Sequence, residues 1–74
     1  MLLSKLLAEN PALDDFWSLE RCVSATARSY PDDEDIRLRF DVEPEYRSTP
    51  RKWQVILTAA CERGLRARED STPY

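Results

Sequence analysis

A chain of 74 residues with a single glycine, Gly64, has few places where the backbone can adopt positive φ without strain. Tight β-hairpin turns draw heavily on that conformation, so an all-β fold with many short connections is disfavoured. A glycine-rich phosphate-binding loop is excluded on the same ground. Helices need glycine only where they stop, and Gly64 stands where a left-handed C′ residue would end one, with Leu65 folding back as its apolar contact. One domain over residues 1–74 is the most this length supports, with 69–74 read as a frayed tail.

The apolar spacing then marks out the elements. Leu2, Leu3, Leu6 and Leu7 form a short amphipathic stretch that should lie on the core. Asn10-Pro11 reads as an N-cap followed by proline at the first helical position. A helix over residues 11–28 follows, with Phe16, Leu19, Val23, Ala27 and Tyr30 as its buried stripe and Leu13 and Trp17 on a flank. Pro31 stops it. Ile36, Leu38, Phe40 and Val42 alternate with Arg37, Arg39, Asp41 and Glu43, the period of a half-buried strand, and Pro44 ends it or marks an edge. Ser48-Thr49-Pro50 repeats the cap-and-proline signal, and Trp53, Ile56, Leu57, Ala60 and Cys61 fall on one helix face. A strand needs a partner for its backbone groups. The preferred partner is a short second strand over 65–69, reached by a right-handed crossover, with a hairpin around Pro44 or pairing to a second chain as alternatives. The expected fold class is therefore α+β: two N-terminal helices, a strand, a third amphipathic helix and a short second strand.

The inventory for catalysis is thin. Histidine is absent, which removes the commonest general base and the usual transition-metal ligand. Ser18, Ser24 and Ser29 have no base to activate them, and no nucleophile-elbow pattern surrounds any serine. Cys22 and Cys61 lie far apart in sequence, belong to no CxxC pair, and read as small buried hydrophobes with free thiols. No cofactor, structural metal or enzymatic activity is expected. Residues 1–8 are leucine-rich, but Lys5 interrupts them and Glu9-Asn10-Pro11 follows, so neither a signal peptide nor a membrane span is expected and a cytoplasmic location is.

What remains is charge. Eleven carboxylates and four basic residues lie between Glu9 and Glu45, a net −7, while residues 46–74 carry a net +3. Such asymmetry bears on partners. Asp32-Asp33-Glu34-Asp35 lacks the alternating ligands and glycine of an EF-hand loop, and a solvated turn is its plainest reading. Its continuation along the strand through Asp41, Glu43 and Glu45 raises a second one. Alternate strand residues lie roughly 7 Å apart, close to the spacing of phosphates along a nucleic-acid strand, so this row can stand in for phosphates opposite a basic groove. Arg37 and Arg39 on the same face dilute it. Arg47, Arg51, Lys52, Arg63, Arg66 and Arg68 form a basic counterpart, but the acidic balance of the chain argues against direct nucleic-acid binding. Trp53 begins a core stripe. Trp17 is the better surface candidate of the two tryptophans, although core is the commoner place for either.

Small size, acidity, missing histidine and a DDED turn feeding an acidic strand resemble the phage-encoded anti-CRISPR inhibitors. The Met1-Leu2-Leu3-Ser4-Lys5-Leu6-Leu7 start and the arginine-rich composition resemble those acting on type I systems, type I-C in particular. The likeness covers the whole chain and rests on no shared motif, so no residue role is carried over. It implies a DNA mimic that stops a Cascade complex from recognising target DNA in a bacterial cytoplasm. On this reading Asp32, Asp33, Glu34, Asp35, Asp41, Glu43 and Glu45 bind a basic nucleic-acid-binding protein or complex, and the chain is expected to be a monomer. The alternative is a structural or regulatory interaction domain, antitoxin-like or subunit-bridging, that binds through Leu2, Leu3 and Trp17.

Overall fold

The structure, a computed structural model, describes residues 1–30 and 37–70. Three helices follow one another: α1 (Leu3–Glu9), α2 (Phe16–Ser29) and α3 (Trp53–Asp70). Leu3 and Leu6 of α1, Phe16, Leu19, Val23 and Ala27 of α2, and Leu57, Ala60 and Cys61 of α3 make one core. The α2 stripe is thus the expected one, with Tyr30 half-buried at its end.

The helix starts differ from the sequence reading. Asp15, not Asn10, caps α2: its carboxylate accepts the Ser18 N–H at 2.7 Å, supplying a partner for one of the unpaired donors of the first turn. Asn10 instead closes α1, its side-chain amide donating to the Leu6 carbonyl at 2.8 Å and its backbone N–H to the Leu7 carbonyl at 3.3 Å. Tyr30, which precedes a proline, leaves the helix with an extended ψ of 141°.

The α+β expectation does not hold. Among the described residues there is no sheet, only a single parallel bridge between Leu2 and Arg39. There the Arg39 N–H donates to the Met1 carbonyl at 2.9 Å and the Leu3 N–H to the Arg39 carbonyl at 3.0 Å. The Met1 amino group adds a bond to the Arg37 carbonyl at 3.0 Å. The partner of the expected strand is thus the stub of chain ahead of α1, too short to extend a ladder because α1 starts at Leu3. Leu38 and Phe40 still pack inward, and Phe40 meets Trp53 edge-on with ring centroids 5.2 Å apart. Ile36 lies outside the described residues. Val42, expected on the same inner side, is 40% exposed.

The second expected strand, 65–69, is helix. Gly64 does not end α3 but lies inside it, buried against α2. A Cβ at Gly64 would stand 2.2 Å from the Ser24 carbonyl oxygen and 2.8 Å from the Ala27 Cβ. The glycine therefore permits close helix–helix approach rather than a left-handed turn. Continuing α3 through Asp70 also removes residues 69 and 70 from the expected tail; 71–74 lie outside the described residues.

Candidate partner-binding surface

Residues 37–52 cross the helices as an irregular segment and carry the described part of the expected acidic site. The segment is tied down in several places. Beyond the Arg39 bridge, the Ser48 hydroxyl accepts the Phe16 N–H at 2.9 Å, at the start of α2. The Thr49 N–H donates to the Tyr46 carbonyl at 3.1 Å, closing a turn ahead of α3. Thr49 also keeps a buried side-chain oxygen with no hydrogen-bond partner among the described residues. Tyr46 packs on the core.

The seven acidic residues of the sequence reading divide into three groups. Asp32, Asp33, Glu34 and Asp35 lie outside the described residues. Asp41 is turned toward α1, where its carboxylate accepts the Ser4 backbone N–H at 3.0 Å and the Ser4 hydroxyl. Leu2 at the N-cap position makes no side-chain cap, so Asp41 supplies from 37 residues away what the local sequence lacks. Those two Ser4 bonds hold the Asp41 carboxyl below its ordinary value of 3.8. Glu43 and Glu45 are exposed on either side of the buried Pro44, so their side chains leave the same stretch of chain on its solvent side. Neither forms an ion pair among the described residues, where Arg63 and Glu20, 3.5 Å apart, are joined across α3 and α2.

A carboxylate depressed in the folded state contributes stability above its unfolded pKa, about 3.9. That contribution is lost as pH falls through the lower folded value. Asp41→Ala is therefore expected to lower the melting temperature at pH 7. Melting curves of the variant and the parent should draw together at about pH 2, where both forms lack the charged cap. An unchanged gap at acid pH would remove the carboxylate from this role.

Sequence reasoning missed two contributors. Burial lifts the Tyr46 phenol above its ordinary value, and the Asp14 and Asp15 carboxylates add to the shift. The acids at the start of α2 therefore share Tyr46 with the Glu43–Glu45 stretch, an approach that no local pattern announces. The second is a shallow hollow between α1 and residues 42–46, lined by Ser4, Leu7, Val42, Glu43, Glu45 and Tyr46. An adjoining hollow shares Val42 and Glu43 with it and includes Arg51, Trp53 and Gln54. Trp17 is 43% exposed and packs edge-on against Phe16 at 5.1 Å, while Trp53 is half-buried.

Cys61 is buried and Cys22 half-buried, and neither is joined in a disulfide. Burial pushes the Cys61 thiol above its ordinary value, which makes it a poor nucleophile. Among the described residues, no three side chains of histidine, cysteine, aspartate or glutamate are placed to hold a metal ion. No helix there is long and apolar enough to cross a membrane. Comparison with protein-family models, with curated proteins and with solved structures finds no match.

Proposed function

We propose that this chain is a non-catalytic inhibitor that binds a basic, nucleic-acid-binding complex through its acidic surface and competes there with DNA. The carrying observation is the pair Glu43 and Glu45, exposed on either side of buried Pro44 and unpaired among the described residues. A carboxylate outside any ion pair among the described residues leaves more of its field for a ligand, and that field steers association with a positively charged groove. Asp41 plays a different part on this reading: it holds α1 and leaves the contact to its neighbours. The Cascade complex of a type I CRISPR system is the partner implied by the resemblance in size, charge and composition.

The test is binding to a purified type I-C Cascade complex, with target duplex DNA as competitor, at two salt concentrations. Tight binding that weakens with salt and excludes DNA is the expected result. Glu43→Lys combined with Glu45→Lys should then lower the affinity at low salt by at least about 100-fold, since like charges placed opposite a groove repel by several kcal/mol. Both side chains are exposed, so the folded state should survive the exchange. Binding that leaves DNA in place, or that ignores the double reversal, sinks the mimic.

One observation favours a second reading. Trp17 and Leu2 are 43% and 42% exposed, and a tryptophan left partly open is a common anchor for a partner. A contact through these two would be lost in Trp17→Ala and spared by the charge reversal.

A further inference from the structure

Building on the proposed acidic contact, the hollow beside α1 narrows what the partner must present. It is lined by the apolar Leu7 and Val42, the half-buried Tyr46 and Ser4, together with the carboxylates Glu43 and Glu45. An anion is repelled by those carboxylates. A purely apolar side chain would desolvate two carboxylates and give them nothing in return. A side chain with an aliphatic stem and a cationic head satisfies both parts. Between the two that exist, a planar guanidinium can pair with carboxylates through a fork of N–H donors and also lie on an aromatic ring, which a compact ammonium does less well. Asp14 and Asp15, close enough to Tyr46 to shift its phenol, deepen the negative field on that side. Arg51 borders the adjoining hollow together with Glu43.

We infer that this hollow receives an arginine side chain of the basic partner, its stem on Leu7 and Val42 and its guanidinium among Glu43, Glu45 and the Tyr46 ring. Arginine specificity would then be added to a surface that otherwise reads only charge.

The experiment is an NMR titration of the full chain at low salt with two capped pentapeptides, Gly-Arg-Gly-Arg-Gly and Gly-Lys-Gly-Lys-Gly. Saturable shifts at the Leu7 and Val42 methyls and the Tyr46 ring are expected with the arginine peptide, which should bind about threefold tighter than the lysine peptide. Val42→Ser should weaken the arginine peptide by about fivefold, through lost contact with its stem. Val42 is 40% exposed, so that variant should fold, and its amide spectrum checks this directly. Glu43→Gln with Glu45→Gln is the second variant and should remove the preference for arginine. Equal affinities for the two peptides, with shifts spread over Glu9, Glu20 and Glu62 and no effect of Val42→Ser, overturn the inference while leaving the charge-based function intact. Failure of the DNA competition, with the arginine shifts intact, overturns the function and spares the hollow.

Discussion

Gly64→Ala is expected to lower the melting temperature by roughly 15 °C, the effect of about 3 kcal/mol on a domain of this size. Two terms of opposite sign decide the outcome. Alanine is the better helix former by about 1 kcal/mol, which alone would stabilise α3. Against this, the new Cβ would stand 2.2 Å from the Ser24 carbonyl oxygen, a separation that real contacts do not reach. The obstructing atom belongs to the α2 backbone and cannot rotate away, so the two helices must part and loosen the packing of Val23, Ala27, Leu57, Ala60 and Cys61. Combining Gly64→Ala with Ala27→Gly removes the 2.8 Å contact but keeps the carbonyl clash, so it should recover little. A thermal melt followed by circular dichroism reads the result; an unchanged or raised midpoint would mean the helices are not this close.

The second large effect separates two adjacent leucines. Leu3 is fully buried and its N–H donates to the Arg39 carbonyl, whereas Leu2 is 42% exposed. Leu3→Ala should destabilise by about 3 kcal/mol, a cavity in the core at the junction of α1 with the crossing segment. Leu2→Ala should change stability by less than about 0.5 kcal/mol. Urea unfolding of the two variants gives the comparison. A partner contact through the amino-terminal leucines therefore cannot be probed at Leu3, where loss of binding would report loss of fold; Leu2→Ala and Trp17→Ala are the informative changes.

The helical half of this architecture is legible residue by residue. Phe16, Leu19, Val23 and Ala27 recur at helical spacing and are all buried, because burial of one face is what that period encodes. Gly64 shows where the reading fails. A glycine that stops a helix and a glycine that lets another helix approach look alike in sequence, and only the neighbouring helix decides between them. A signal was present: Leu65, Arg66, Ala67, Arg68 and Glu69 are all good helix formers, which disfavours a stop at Gly64. Residues 37–43 fail for another reason. Their alternation records which side chains face inward, and an extended segment laid across helices can meet that demand without a ladder.

For the candidate surface, the exposure of Glu43 and Glu45 follows from the alternation around Pro44. The engagement of Asp41 by Ser4 does not, because a cap supplied across 37 positions leaves no mark in any local window. Val42 was expected inside and lies partly outside, where the chain bends at residues 41–42; the even positions turn inward again at Pro44 and Tyr46.

The crossing segment is irregular, yet it is held at Arg39, Asp41, Pro44 and Ser48. Its conformational entropy has therefore already been surrendered during folding, and a partner that docks on Glu43 and Glu45 need not order this backbone again. For so small a chain that is a real advantage, because association would lose little beyond the rigid-body freedom of the two molecules and the rotamers of the contacting side chains.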